Sequence, residues 1–201
     1  MPEASLYRSP FAGHVTGCHP SGASQCGLRL RASLLPQVAQ VATWPTGAEA
    51  LFATLERTLG QDLPRQTGKT VQTRLGLLIR TGPEESLLIG GGELPLVKEL
   101  RASVDPQTGS VTDLSHARVR VSVEGDATLQ TFSKLFALDL RASAFPVHEA
   151  RLSGHHHLPA LLHRQGELAF DLYLFTTYAH DQLHTLIDAG LEYGVELQSI
   201  P

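Results

Sequence analysis

The run VTDLSHARVRVSVEGDA at residues 111–127 combines a turn, a strand and a helix start. Polar and apolar residues alternate over 117–123, with three valines on one face and two arginines and a serine on the other, which is the period of a half-buried strand. Gly125 ends this pattern, and Asp126 is a suitable N-cap for the apolar residues that follow at helical spacing. The run therefore predicts a strand followed directly by an amphipathic helix.

Strand and helix patterns alternate along the rest of the chain in an order that repeats once. This order predicts an α+β fold of two βαββα-like halves with antiparallel sheets. We expect one compact domain, with a flexible N-terminal arm at 1–26, a first half at 27–104 and a second half at 105–201. The predicted strands cover residues 27–31, 38–44, 71–81, 86–89, 117–123, 149–153, 158–164, 168–175 and 195–197, and three further predicted helices cover 48–59, 93–102 and 179–193.

Charge and hydropathy exclude several classes of function. With 16 basic and 20 acidic residues, the net charge of -4 gives no electrostatic reason to expect a nucleic-acid partner. Apolar stretches fall well short of the ~20 residues of a membrane helix, and the first residues lack the charged and apolar regions of a signal peptide. We therefore expect a cytoplasmic protein without a membrane partner.

The N-terminal arm contains four potential metal ligands, His14, Cys18, His19 and Cys26. Their spacing matches no standard zinc pattern, so an arm that orders against a partner is the favoured interpretation. Two ordinary thiols are favoured over a disulfide in a cytoplasmic chain.

A metal-dependent enzyme would be built on His155, His157 and His163, which share one face if the strand is unbroken. Pro159 makes an unbroken strand doubtful, and Glu149 is the one acidic residue nearby that could complete a ligand set. A hydrogen-bonded or partner-facing polar surface is the favoured interpretation.

Several motifs resemble a known family. DLSH (113–116), a strand, GDA (125–127) and an amphipathic helix resemble the folate-binding fold of the aminomethyltransferases, such as the glycine cleavage T-protein. With four further motifs, the chain more specifically resembles the gamma subunits of heterotetrameric sarcosine oxidases. This resemblance runs from about residue 27 to residue 197. The four motifs are GLLIRTG (76–82), RLSGHHH (151–157), FTTY (175–178) and LEYGV (191–195).

The resemblance implies a non-catalytic accessory subunit of an oxidoreductase complex. Such a complex demethylates sarcosine to glycine with oxygen and transfers the one-carbon unit to tetrahydrofolate. The gamma subunit packs on the alpha subunit, beside beta and delta, and has no cofactor of its own. FAD, FMN, NAD, tetrahydrofolate and zinc are implied for the other subunits.

Residues 153–163 resemble the segment in which the aminomethyltransferases place their acidic pair, but they contain no carboxylate. The sequence thus predicts no catalytic, cofactor-binding or metal-binding residue, and His116 is expected to be structural. The candidate partner-interface residues are Trp44, Phe145, His155, His157, Tyr173 and Tyr178, of which the four aromatic residues are equally compatible with a core position.

The alternative is a stand-alone folate- or pterin-binding protein of the same fold. It needs an aromatic-lined pocket with a carboxylate or an amide for the pterin ring. The candidate carboxylates are Glu149, Asp171 and Glu192.

Overall fold

The computed structural model describes residues 9–20, 25–155 and 157–199. It contains twelve strands and four α-helices within these ranges. The helices are α1 (Ala48–Leu59), α2 (Leu96–Ser103), α3 (Thr128–Leu135) and α4 (Ala179–Gly190). The strands are β1 (Gly17–His19), β2 (Leu28–Leu34), β3 (Gln37–Thr43), β4 (Thr70–Thr73), β5 (Gly76–Arg80), β6 (Glu85–Gly90), β7 (Gly109–Asp113), β8 (Arg118–Glu124), β9 (Ala150–His155), β10 (Leu158–Gly166), β11 (Ala169–Phe175) and β12 (Val195–Ser199).

The strands form two sheets. The larger sheet has the order β1-β12-β2-β8-β11-β10-β9, and the smaller has the order β4-β5-β6-β3-β7. All pairings are antiparallel except that of β12 with β2. The predicted α+β class with antiparallel sheets is therefore confirmed.

Three apolar clusters show how the layers pack. One cluster lies between the larger sheet and helices α3 and α4, and a second lies between the smaller sheet and helices α1 and α2. The third joins the two sheets face to face, with Tyr173 and Leu161 from one and Ile79 and Ile89 from the other. The order of layers is thus helices, larger sheet, smaller sheet, helices.

Each sheet contains a strand from the other side of the predicted division at residue 104. Strand β2, from the first half, lies in the larger sheet between β12 and β8. Strand β7, from the second half, forms an edge of the smaller sheet beside β3. The division into halves stays a prediction, but neither sheet is built from one half alone.

The predicted N-terminal arm lies partly outside the described residues, at 1–8 and 21–24. Its described part packs on the rest of the chain. The Phe11 ring is fully buried in the cluster beneath α4, and β1 pairs with β12. The flexibility of the arm stays a prediction.

None of the helices formed by the described residues combines the length and the apolar character that a bilayer crossing requires.

Candidate functional site

The three histidines of the metal hypothesis do not share a face. His155 is buried beside Phe136, on the α3 side of the larger sheet, with ring centroids 5.2 Å apart. His163 is buried on the opposite side, where its Nδ1 lies 3.1 Å from Nε2 of Gln165. His157 is exposed in the turn between β9 and β10 with φ 68°.

This left-handed turn interrupts the strand between β9 and β10. The prediction that the three histidines share one face is therefore wrong. In the parts of the chain that the structure describes, no three His, Cys, Asp or Glu side chains are placed to hold a metal ion. Among the four N-terminal candidates, the Cys18 and Cys26 thiols lie within hydrogen-bond reach of each other. Nε2 of His14 instead contacts the His180 carbonyl, and Nε2 of His19 contacts that of Val15.

The three carboxylates of the pterin hypothesis lie in different places. Glu149 is held by Lys69 and, at 2.7 Å, by Arg151. Glu192 is on the surface in an ion pair with Lys134. Asp171 lines a cleft between the sheets.

The acidity of Glu149 also argues against proton transfer. Burial by itself raises its pKa, but the hydrogen bonds and charges of Lys69 and Arg151 outweigh burial and hold the pKa below its ordinary value. The carboxylate therefore stays ionised near neutral pH and acts as a fixed charge.

Three of the predicted interface residues lie in the core and not at the surface. Phe145, His155 and Tyr173 are at most 2% exposed, so their side chains belong to the core and offer no surface to a partner. Trp44 and Tyr178 are exposed, at 43% and 45%. These two, together with the exposed His157, stay predictions.

Trp44 is fixed at the surface by its polar group. The indole N–H donates a hydrogen bond to the Pro106 carbonyl at 2.8 Å, while the ring stays exposed at the end of β3. An amphipathic ring that is held in place and exposed is a common anchor in protein interfaces.

A polar surface covers the side of β12, β2 and β8 that faces away from α3 and α4. It arises because apolar residues alternate with polar ones on these strands, and the apolar set packs under the helices. We call it the polar face and define it by Arg29, Arg31, Arg118, Arg120, Ser122, Glu124, Glu196 and Gln198.

The local sequence pattern indicates only half of this polar face. The alternation on β8 predicted that its two arginines share a face, but the arginines of β2 join them through the pairing of Arg31 with Ser122 and of Ser33 with Arg120. The alternation over residues 27–31 is the available signal, and it does not reveal which strand β2 pairs with.

Asp171 lies where the polar face meets the packed part of the sheets. Its carboxylate accepts hydrogen bonds from Ser122 at 2.5 Å and from Gln165 at 2.8 Å. Burial and then the charge of Asp171 raise the pKa of Tyr173 far above its ordinary value, so the phenol stays neutral. Both oxygens are held by neutral donors, so the network orders this part of the sheet.

No family model matches the chain. Among curated proteins, it is 29% identical over 143 residues to the sarcosine oxidase subunit gamma of Corynebacterium sp. (strain U-96), which covers 71% of this chain and 70% of the relative.

Among solved structures, it matches a chain of the heterotetrameric sarcosine oxidase from Corynebacterium sp. U-96 in complex with pyrrole 2-carboxylate. The TM-score is 0.78 at 26% identity, covering 94% of this chain and 96% of the other. It also matches the glycine cleavage system aminomethyltransferase T from Bartonella henselae, with a TM-score of 0.60 at 14% identity, covering 87% of this chain and 48% of the other, which shows the fold alone. The predicted resemblance is confirmed, because the chain is similar in sequence and fold to the gamma subunit of heterotetrameric sarcosine oxidase over most of its length.

Proposed function

We propose that this chain is the non-catalytic accessory gamma subunit of a heterotetrameric sarcosine oxidase. The observation that supports this most is the match to a chain of the solved Corynebacterium complex over 94% of this chain and 96% of that one. A match of such extent leaves little of either chain for a separate activity.

The chemistry of the described residues supports an accessory role. The carboxylates that could serve acid–base catalysis are held in ion pairs or by neutral donors, as Glu149 and Asp171 illustrate. An accessory subunit contributes through shape and surface instead, which agrees with an ordered core and an extended polar face.

The complex that this role implies has other subunits as partners. We propose that this chain packs on the alpha subunit, beside beta and delta, in the cytoplasm. FAD, FMN, NAD, tetrahydrofolate and zinc would lie on those other subunits. The exposed rings of Trp44 and Tyr178, with His157, are the proposed contact residues.

The test is to co-express the tagged chain with the alpha, beta and delta chains of such an oxidase and to analyse the eluate by size exclusion. We expect stoichiometric co-elution with a yellow, flavin-containing complex. A colourless chain that elutes alone would contradict the proposal.

Two variants locate the contact. Trp44→Ala or Tyr178→Ala should reduce co-elution because each removes an exposed aromatic anchor. Leu94→Ala is the matched control, since Leu94 has a similar exposure of 42% and is not among the proposed contacts. The cofactor assignment is tested separately, because alpha, beta and delta expressed without this chain should retain the same flavin content per alpha subunit.

A further inference from the structure

A cleft of about 440 Å³ lies at one end of the polar face. Its walls come from the end of β2 with the following turn, from Ser115 and His116 with the start of β8, and from Thr176 just after β11. Leu34, Leu35 and Pro36 form an apolar side, while Arg118 contributes a polar group.

Arg118 is a cation held in place without an anionic partner. Its guanidinium stacks over the Phe175 ring, with Cζ 3.7 Å from the centroid. Its Nε is buried and has no hydrogen-bond partner, and among the described residues Arg118 forms no salt bridge. Burial lowers the pKa of Arg118, and the charge of Glu85 acts in the opposite direction, but an arginine still stays protonated at neutral pH.

The neighbouring groups do not supply the missing acceptor. The Glu85 carboxylate is engaged by Gln40 at 2.6 Å and by Thr81 at 3.1 Å. On the same face, Arg29 is paired with Glu124 at 3.0 Å, and Arg120 donates to Ser33 at 3.2 Å. Arg118 differs from these two arginines because it lacks such an acceptor.

Thr176 lies beside Arg118 on the wall of the cleft, directly after Phe175, the residue paired with Arg118 across β11 and β8. Its Oγ1 is buried, so a ligand in the cleft would not reach that hydroxyl, and Arg118 is the donor that the cleft offers to an anion.

We propose that this cleft binds a small organic carboxylate, whose oxygens accept from the terminal N–H groups of the Arg118 guanidinium. The planar guanidinium fork matches a carboxylate geometrically, and the ring of Phe175 fixes its plane. The apolar side formed by Leu34, Leu35 and Pro36 favours a ligand with an apolar body behind its carboxylate.

Titration calorimetry of the full-length chain with phenylacetate, and with its neutral analogue phenylacetamide, tests the charge requirement. We expect saturable binding of the acid and at least about tenfold weaker binding of the amide, because the amide lacks the charge-assisted hydrogen bonds. Equal binding of the two compounds, or no saturable binding of the acid, would overturn the proposal.

Three variants test the residues. Arg118→Gln should weaken phenylacetate binding at least about tenfold, whereas Thr176→Val, which keeps the shape and removes only a buried hydroxyl, should change it less than about twofold. Arg120→Gln is the matched control, because Arg120 lies on the same strand and face but is not part of this cleft. Equal losses in Arg118→Gln and Arg120→Gln, with both variants folded by circular dichroism, would overturn the assignment.

Measurements on the assembled complex distinguish a free carboxylate from a carboxylate side chain of another subunit. Retained phenylacetate binding there identifies a free carboxylate as the ligand. Blocked binding, together with weaker co-elution of Arg118→Gln, would overturn the small-molecule proposal, because a carboxylate side chain of another subunit would then occupy the cleft. Blocked binding with normal co-elution of Arg118→Gln would overturn the site. The binding assay on the chain alone does not depend on assembly, so the proposed function can fail without affecting this result.

Discussion

Lys69 and Glu149 are joined twice, by an ion pair between their side chains and by an antiparallel bridge between their backbones. The backbone of Ala150 extends this contact by donating to the Gly68 carbonyl at 2.7 Å. Lys69 precedes β4 of the smaller sheet and Glu149 precedes β9 of the larger one. The two sheets are therefore connected along their edges here, in addition to their face-to-face packing.

Replacing Glu149 by Gln should destabilise the fold by about 1.5–3 kcal/mol, because charge-assisted hydrogen bonds to Lys69 and Arg151 are lost at a buried position. Urea unfolding measures the effect. The control is Glu49→Gln, which removes an ion pair with Arg65 from a side chain that is 85% exposed and should change the free energy of unfolding by about 0–0.5 kcal/mol. Similar losses in both variants would contradict a special role for Glu149.

The contribution of Glu149 should depend on pH in one direction. Burial raises its pKa, the two basic partners lower it, and the net pKa lies below the ordinary value of 4.5. The contribution is therefore complete above about pH 4.5 and is lost as the pH falls through the lower pKa of the folded state. Unfolding curves of the wild type and Glu149→Gln should converge in acid, and a constant difference down to pH 2 would contradict this.

His163 should reduce stability over a different pH range. Burial lowers its pKa in the folded state, the charge of Asp171 only partly opposes this, and that of His148 adds to it. Below about pH 6.5 the unfolded chain therefore binds a proton that the folded chain excludes, and stability falls by up to about 1.4 kcal/mol per pH unit. His163→Gln should flatten this slope, whereas His116→Gln, at an exposed position, should leave it steep.

Gly125→Ala should destabilise the chain by about 2–4 kcal/mol. Gly125 has φ 134°, and a Cβ there would lie 2.1 Å from the Gly27 carbonyl oxygen, so the substitution combines backbone strain with a clash. Gly154→Ala is the control, because its φ is ordinary and a Cβ would meet no atom within 4 Å. Thermal unfolding compares the two, and a Gly125→Ala variant as stable as Gly154→Ala would contradict the geometry.

Phe11→Ala should cost about 3–5 kcal/mol, since the fully buried ring leaves a cavity in the cluster beneath α4. Val15→Ala, in the same segment but 69% exposed, should change stability by less than about 0.5 kcal/mol. Limited proteolysis provides a second check. If a protease removes the residues before 25 equally fast from the wild type and from both variants, the segment does not depend on Phe11.

Local pattern predicted most elements but not their ends. The helix over 48–59 and the alternating strand before Gly125 are confirmed, because each has a clear apolar period and a glycine at its end. The single strand predicted over 71–81 is wrong, since the chain turns back at Arg74 and Leu75 to form the β4–β5 hairpin. No Asn-Gly or Asp-Gly pair marks that turn.

Long-range pairing could not be predicted from local pattern. None of the predicted strands covers β7, because its edge position leaves it a weak apolar period. The parallel pairing of β12 with β2 joins segments more than 160 residues apart, and no local propensity encodes such a partner. The cleft beside Arg118 was missed for the same reason, since Leu34 and Thr176 meet Arg118 only through sheet pairing.

The position of β12 between β1 and β2 has a consequence for biosynthesis. Residues 17–19 have no strand to pair with until residues 195–199 have left the ribosome. Residues 17–199 must therefore all be synthesised before β1, the first of the described strands, can be placed, and until then β2 has an unpaired edge that other chains could occupy. A growing chain of this topology depends on rapid completion, or on a chaperone, to avoid pairing with the wrong neighbour.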